Sequence, residues 1–223
     1  MSQRASTFER QITKTVRLEY LLALPAGYGD DLAKQWPLIL FLHGAGERGS
    51  NIEQVKKHGL PCVVEQGTEL PFIVVSPQCP PGTNWVGQFD ALRALLDEIV
   101  ATHAVDHQRV CLTGLSMGGN GTWQFATLLP ERFAAIAPVC GWGDFWAGFP
   151  TAVCALKNLP VWAFHGDQDD IVPLAGSQQL VDALKECGGS VRFTIYPGVG
   201  HNSWSATYDN PELYTWFLSH TRR

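Results

Sequence analysis

Short apolar runs alternate with helix-like segments along most of this sequence, and this alternation limits the possible folds more than any other feature. The runs occupy residues 37–42, 72–76, 110–113, 134–140, 160–165 and 191–196. Continuous apolar runs of this length indicate strands buried on both faces, and the segments between them indicate helices. Alternating strands and helices form a mostly parallel sheet that is covered on both faces. The sequence therefore predicts an α/β fold with about seven or eight strands.

The remaining elements complete this prediction. Residues 11–24 alternate in part between polar and apolar side chains, which predicts one or two edge strands. Helices are predicted over residues 52–66, 92–103, 117–129 and 178–187, with a last one from Asn210. No linker, repeat or low-complexity segment interrupts the pattern, so we expect a single domain over residues 1–223.

Composition and charge disfavour several classes of protein. Apolar residues make up 45% of the chain and charged residues 17%, which is enough for one sizeable core. The net charge is −5 and the basic residues are scattered, which argues against a nucleic-acid partner. Residues 1–19 carry charges throughout without an apolar core of signal-peptide length, and no window suits a membrane span. We expect a cytoplasmic protein.

The cysteines show no paired spacing. None of the six belongs to a CxxC pattern, and two of them fall on or at the ends of predicted inner strands. We therefore favour reduced, buried thiols over a disulfide or a metal site. The six are Cys62, Cys79, Cys111, Cys140, Cys154 and Cys187.

The sequence GxSxG joins one predicted strand to the next helix at Ser116. A serine on so sharp a strand-to-helix turn leaves no room for side chains on either flank, which explains Gly114 and Gly118. Such a nucleophile elbow exposes the serine hydroxyl above the sheet. The helix that starts at Met117 directs its free N–H groups toward negative charge developing beside the serine.

A serine hydroxyl needs a general base, and a carboxylate that orients the base. On a fold of this type the chain order is serine, acid, histidine. Three histidines follow Ser116. His165 precedes the acidic cluster and His220 lies near the end of the last helix, whereas His201 lies in a glycine-rich loop after a strand. We therefore predict His201 as the base.

The acid must come from the cluster that follows the strand at residues 160–165. Asp167, Asp169 and Asp170 all lie on one turn. Asp167 could cap that turn through backbone N–H groups, and Asp170 could cap the segment that follows. The residues alone leave the choice among the three carboxylates open.

Four motifs together resemble those of the α/β-hydrolase superfamily. They are the His-Gly pair at residues 43–44, the elbow at Ser116, the HGxxDxxVP pattern at residues 165–173 and the GxGH at residues 198–201. The resemblance covers most of the chain, from about residue 38 to 217. It is strongest to small esterases such as dienelactone hydrolases, acyl-protein thioesterases and esterases related to prolyl oligopeptidases. It implies an α/β-hydrolase fold in which Asp169 is the acid.

The resemblance also completes the predicted chemistry. It implies that Ala45 N–H joins Met117 N–H in an oxyanion hole. Neither a metal nor a cofactor is needed, and His43 is expected to pack beneath the loop that carries Ala45. Esterases related to prolyl oligopeptidases often share the GERG sequence around Glu47 and Arg48. We favour a local ion pair between these two side chains over contact with substrate.

Four tryptophans fall on predicted loops at the active end of the sheet. Trp85, Trp142, Trp146 and Trp204 are predicted to line an apolar substrate cleft, although ordinary packing is nearly as good an explanation. Residues 141–157 are too few for a sizeable cap, so the site is expected to be open. An open site favours short to medium acyl esters over long-chain lipids.

The predicted function is hydrolysis of a small-molecule ester through an acyl-enzyme, by a monomer or a homodimer. A thioesterase or lysophospholipase-like deacylase is the nearest alternative, because the same triad serves both. A peptidase is a weaker alternative, since amide hydrolysis usually uses an extra domain for positioning. A non-catalytic binding protein would be indicated by loss of Ser116, Asp169 or His201, and all three are present.

Overall fold

A seven-stranded sheet forms the centre of the protein in a computed structural model, which describes residues 3–222. The strand order is β1-β3-β2-β4-β5-β6-β7. Strand β1 runs antiparallel to β3, and every other neighbouring pair is parallel. The predicted, mostly parallel sheet is therefore confirmed. The strands are β1 Tyr20–Ala23, β2 Trp36–Leu42, β3 Ile73–Pro77, β4 Val105–Leu115, β5 Ala135–Val139, β6 Val161–Gly166 and β7 Val191–Tyr196.

Helices lie between most of the consecutive strands, although β1 and β2 are joined without one. The α-helices are α1 Gly59–Glu65, α2 Phe89–Thr102, α3 Met117–Leu128, α4 Ala175–Glu186, α5 Trp204–Tyr208 and α6 Pro211–Leu218. Short 3-10 helices lie at Ala45–Glu47, Ile52–Lys57, Val86–Gln88, Pro130–Arg132, Phe145–Ala147 and Thr151–Leu156. Helix α6 begins as the sequence predicts, because the Asn210 side chain accepts a hydrogen bond from Glu212 N–H and Pro211 occupies the first turn.

Two predicted elements differ from the structure. The helix predicted over residues 52–66 is divided into a 3-10 helix and α1, with Gly59 at a left-handed φ of 66° where they meet. A Cβ atom on Gly59 would lie 2.5 Å from the Phe41 ring, so the chain approaches β2 too closely for any larger residue. Of the predicted β-rich segment 11–24, Tyr20–Ala23 forms a strand, and most of the preceding residues are exposed.

Alternate residues of β2 supply the two faces of the sheet. Leu38, Leu40 and Leu42 pack with residues of α2, α3 and α4 on one face. Ile39 and Phe41 pack with residues of α1 and α6 on the other face. All five are completely buried, and burial of each such side chain stabilises the fold by roughly 1.5 to 3 kcal/mol. The continuous apolar run therefore satisfies two cores at once.

The segment between β5 and β6 is short. It contains the 3-10 helices Phe145–Ala147 and Thr151–Leu156, in agreement with the absence of a large cap from the prediction. Of the helices formed by residues 3–222, none combines the length and the hydropathy needed to cross a bilayer.

The prediction of six reduced thiols is wrong for two of them. Cys154 and Cys187 form a disulfide, with their Cα atoms 5.5 Å apart, in the usual range for a disulfide. It joins the 3-10 helix at Thr151–Leu156 to the end of α4. The spacing of the cysteines in the sequence does not reveal that these two elements are neighbours. The remaining thiols are free, and three of them, Cys79, Cys111 and Cys140, are buried.

The disulfide makes a prediction about stability. Cys154→Ala should lower the free energy of unfolding by about 3 to 4 kcal/mol under oxidising conditions, because the bond closes a loop of 33 residues in the unfolded chain. Thermal unfolding should show a melting temperature lower by on the order of 10 °C. Cys62→Ala, which removes a partly exposed free thiol, is the matched control and should leave the melting temperature nearly unchanged.

Thiol counting by alkylation in denaturant provides the direct check. The unreduced protein should take up label at the four free cysteines, and the reduced protein at all six. Six labelled thiols without reductant would contradict the pairing.

Candidate active site

Ser116 occupies a strained turn between β4 and α3. Its backbone has φ 54° and ψ −116°, which a residue with a side chain rarely adopts. A Cβ atom on Gly118 would overlap the Leu42 carbonyl group, and one on Gly114 would lie 2.6 Å from the same oxygen. Ser116 N–H donates to Val139 O at 3.0 Å. The geometry is that of the predicted elbow, and it leaves the Ser116 side chain partly exposed.

His201 and Asp169 extend from Ser116 in a continuous hydrogen-bonded chain. His201 Nε2 lies 2.9 Å from Ser116 Oγ, and His201 Nδ1 lies 2.7 Å from Asp169 Oδ2. Because a carboxylate accepts, Nδ1 carries a proton and Nε2 is free to take the serine proton. The three side chains therefore have the arrangement that nucleophilic catalysis by serine requires.

The structure distinguishes among the three carboxylates of the β6–α4 turn. Asp169 is 8% exposed and contacts His201. The exposed Asp167 accepts a hydrogen bond from Gly198 N–H at 2.7 Å and so ties its turn to the loop that carries His201. Asp170 is exposed. Of these carboxylates, Asp169 is therefore the one placed to orient His201.

The environment of Asp169 favours its ionised form. Burial by itself raises the pKa of this carboxyl, but hydrogen bonds from His201 and from the N–H groups of Val172 and Ile171 outweigh burial and hold the pKa below its usual value. The two backbone N–H groups donate to Oδ1 at 2.9 and 3.0 Å. Asp169 is therefore a carboxylate at neutral pH.

Ala45 and Met117 each occupy the first position of a helix. Their N–H groups have no acceptor within that helix, so they are available to an oxyanion. His43 Nδ1 lies 2.6 Å from Gly44 O, and His43 Nε2 accepts Cys79 N–H at 2.9 Å. In a trans peptide the carbonyl and the next N–H point in opposite directions, so holding Gly44 O directs Ala45 N–H away from His43.

His43 is a buried neutral imidazole. Burial lowers its pKa to about 4, and the ring is 1% exposed beneath the loop, as predicted from the sequence. Its position explains why the His-Gly pair stands next to the loop that supplies Ala45. His43 supports that loop and makes no contact that would suit a base.

The predicted ion pair between Glu47 and Arg48 is wrong. Arg48 donates to the carbonyl oxygens of Ala45 and Thr83, both at 3.0 Å. Glu47 instead points inward and is 5% exposed, with His58 Nε2 at 3.8 Å from its carboxylate. Arg48 does not pair with Glu47 because its guanidinium group donates to two carbonyl oxygens instead. The Glu47 side chain points into the protein.

The four predicted cleft tryptophans have different environments. Trp85 is completely buried in the core, where its indole N–H donates to His43 O at 2.9 Å, so the prediction that it lines a cleft is wrong. Trp204 is partly exposed and packs edge-on against His201, with ring centroids 5.2 Å apart. Trp142 is partly exposed, and Trp146 is 87% exposed on the β5–β6 segment.

A polar network that the sequence does not reveal holds the Trp142 loop. Asp144 accepts hydrogen bonds from Trp142 Nε1 at 3.0 Å and from Gln124 Nε2 at 2.7 Å. Asn120 donates to Trp142 O at 3.0 Å. Asn120 and Gln124 lie four residues apart on α3, a spacing that places two polar side chains on one helix face and is the one available signal.

Cys140 is a second residue that sequence reasoning did not connect to the site. It has a left-handed φ of 40° at the end of β5, and its Sγ lies 3.3 Å from Ser116 N. One ligand atom each from Cys140, Asp169 and His201 fall within 4.8 Å of one another. Asp169 and His201 are already bonded to each other, so we assign this cluster to the triad. Burial raises the pKa of Cys140 to about 12, which keeps its thiol protonated.

Comparison with known proteins agrees with this fold and this geometry. The family profile described as phospholipase/carboxylesterase matches residues 86–210. A solved structure described as a thermostable esterase is 35% identical, with a TM-score of 0.75 over 93% of this chain and 60% of its own. The chain belongs to the phospholipase/carboxylesterase family. The predicted α/β-hydrolase fold and the predicted relationship to small esterases are confirmed.

The chain covers different shares of two of its relatives. A bifunctional acetylxylan esterase/xylanase from Neocallimastix patriciarum is 28% identical over 83% of this chain, which covers only 26% of that relative. Acyl-protein thioesterase 1 from Neurospora crassa is 26% identical over 77% of this chain and 82% of its own length. The chain therefore spans about a quarter of the first relative and most of the second.

The site geometry predicts a specific effect of removing the acid. Asp169→Asn should lower kcat by about four orders of magnitude, because the amide cannot hold His201 in the tautomer that leaves Nε2 free. Asp170→Asn removes the neighbouring exposed carboxylate and should leave kcat within about twofold. Steady-state hydrolysis of a nitrophenyl ester measures both. Equal losses in the two variants would contradict the assignment of Asp169.

Proposed function

We propose that the protein is a serine carboxylesterase that hydrolyses short to medium acyl esters of small molecules through an acyl-enzyme. The observation that carries the proposal is the hydrogen-bonded chain from Ser116 through His201 to Asp169, with distances of 2.9 and 2.7 Å. These residues lie at the carboxyl ends of the parallel strands, which is where proteins with such sheets bind their ligands. The family to which the chain belongs supports the same chemistry.

Acylation follows from these positions. Ser116 Oγ attacks the ester carbonyl while His201 Nε2 takes its proton. Negative charge develops on the carbonyl oxygen, which the N–H groups of Ala45 and Met117 stabilise by about 3 to 4 kcal/mol each in comparable sites. His201 then gives the proton to the leaving alcohol, whose oxygen departs as the carbonyl forms again.

Deacylation repeats the sequence with water. His201 takes a proton from the water that attacks the acyl-enzyme, and it returns a proton to Ser116 Oγ as the acid leaves. Asp169 stays ionised throughout and stabilises the imidazolium form of His201 in both halves of the reaction. The steps use only residues of this chain, substrate and water.

The walls of the site support a small acyl group. Trp204 lies beside His201, and Trp142 is held by the network around Asp144. The β5–β6 segment forms only two short 3-10 helices, and Ser116 and His201 are partly exposed, which supports a site that is open to solvent. We propose Trp142 and Trp204 as parts of the substrate pocket, and Trp146 as a contact only for larger substrates, because its side chain projects outward.

A thioesterase is the second candidate. The observation in its favour is the match to acyl-protein thioesterase 1 from Neurospora crassa, which spans most of both chains. The triad acts on an ester or a thioester alike, and only the pocket discriminates between them. Oxygen and sulfur esters that carry the same acyl group therefore separate the two candidates.

The oligomeric state and the cellular location of the protein are further expectations. A monomer or a homodimer stays a prediction. The predicted cytoplasmic location also stays a prediction, and the Cys154–Cys187 disulfide argues against it, because the cytosol keeps most thiols reduced.

Hydrolysis of p-nitrophenyl esters from acetate to palmitate tests the proposal. Activity should be greatest on the short esters, disappear in Ser116→Ala, and fall as the pH is lowered from about 9 to about 5, because a protonated His201 cannot accept the serine proton. The carboxyl of Asp169, whose pKa lies below its usual value, remains ionised over that interval and contributes no further loss. Thioesters of the same acyl groups serve as the comparison.

Two results would count against the proposal. Strong preference for palmitate would reject the small acyl pocket. If the folded protein hydrolyses thioesters but none of the oxygen esters, the result would favour the thioesterase instead.

A further inference from the structure

We propose that His165 is a positioning residue for the reaction, a second imidazole that holds the Asp169 carboxylate in the orientation in which it bonds His201. The inference rests on the proposed function, since it concerns the triad of that same site. His165 precedes Asp169 by four residues and is the penultimate residue of strand β6. The geometry around its two ring nitrogens carries the argument.

His165 contacts three groups and is completely buried. Its Nε2 lies 2.8 Å from Val172 O and 3.2 Å from Asp169 Oδ2. Its Nδ1 lies 2.8 Å from Ser177 Oγ on α4. A fully buried imidazole with both nitrogens engaged is fixed in place and cannot act as a base toward substrate.

The partners fix the position of the proton. Val172 O and the Asp169 carboxylate can only accept, so Nε2 must carry a hydrogen. Burial lowers the pKa of His165, which keeps the ring neutral and leaves Nδ1 as an acceptor for the Ser177 hydroxyl. Ser177 Oγ also lies 2.9 Å from Gly141 O, the second acceptor for its hydrogen.

Asp169 therefore receives donors on both oxygens. Oδ1 accepts from the N–H groups of Ile171 and Val172, and Oδ2 faces His201 Nδ1 and His165 Nε2. Three donors bond the carboxylate directly, and the Nε2–H of His165, whose shorter contact is with Val172 O at 2.8 Å, lies against Oδ2 at 3.2 Å as a weaker, shared donor. His165 thus prevents rotation of the carboxylate away from His201, and it withdraws some of the negative charge that Oδ2 presents to His201.

Few titratable groups among the described residues face His165. Asp169 and His201 act on its ring, and Cys140 lies beside Asp169 and His201. The Cys140 thiol is buried and protonated, and Asp169 is ionised. A change in the pH profile of the reaction therefore reports on His201 and on how its carboxylate partner is held.

Two substitutions separate donation from packing. The amide nitrogen of His165→Gln reaches about the position of Nε2, whereas that of His165→Asn reaches only about the position of Nδ1. His165→Asn should lower kcat/KM about 10- to 100-fold. It should also move the acidic limb of the pH profile to higher pH, because the carboxylate that has lost a donor holds the imidazolium form of His201 more strongly. His165→Gln should recover most of both properties.

Other outcomes overturn the inference. An unchanged acidic limb in His165→Asn, whatever its kcat/KM, would show that His165 only packs beneath the acid. Equal losses in the two variants would have the same meaning. If His165→Asn does not fold, as judged by circular dichroism, Ser177→Ala replaces it. That variant frees Nδ1 of its donor and should move the acidic limb in the same direction by less, and an unmoved limb overturns the inference.

A measurement without turnover keeps this inference separate from the proposed function. The downfield proton resonance of the His201–Asp169 hydrogen bond is observed by NMR and assigned by its loss in His201→Gln. His165→Asn should shift it and His165→Gln should restore it, whether or not any ester is hydrolysed. Failure of the proposed function would appear as an inactive wild type, whereas failure of this inference would appear as an unshifted resonance.

Discussion

The close approach of the α3 start to β2 is the constraint on which the site depends. Gly118 and Gly114 lie against the Leu42 carbonyl, where no Cβ atom fits. This contact forces Ser116 into its strained conformation with a positive φ, since the chain must reverse between β4 and α3 within one residue. The hydrogen bond from Ser116 N–H to Val139 O helps to fix the turn. The proposed nucleophile, Ser116, is therefore positioned by backbone packing before any other side chain takes part.

The parallel sheet then supplies the partners of Ser116. Asp169 follows β6, and His201 follows β7, so both reach the same edge of the sheet as the elbow. The loop that carries Ala45 follows β2 at that edge, supported from below by His43. Each of these side chains or loops is held by hydrogen bonds to buried groups. The geometry is thus prepared in advance, which lowers the cost of reaching a charged transition state.

Much of this arrangement could be predicted from the sequence. The apolar runs specified the inner strands because strands buried on both faces leave a clear pattern, and the glycines around Ser116 specified the elbow because only glycine fits there. Chain order excluded His165, and the glycine-rich loop after a strand favoured His201 over His220 near the end of the last helix. The choice of Asp169 depended on the family resemblance, because three neighbouring carboxylates look alike until a fold decides which one faces inward.

Other features depend on long-range contacts that leave no local pattern. Trp85 follows a loop with turn residues, yet it packs beneath His43 in the core. The Glu47 side chain points inward, and Arg48 donates hydrogen bonds to carbonyl oxygens, one of them that of Thr83 in another loop. Cys154 and Cys187 come together only when α4 packs against the β5–β6 segment. In each case the partner is distant in sequence.

Reaction with a fluorophosphonate tests most directly whether Ser116 is an activated nucleophile. Intact mass and peptide mapping should show one adduct, on Ser116, and the rate of its formation should fall by at least about 100-fold in His201→Gln, which removes the base. A folded wild type that forms no adduct, or one that reacts at another residue, would contradict the account. Labelling at the same rate in wild type and His201→Gln would contradict it as well.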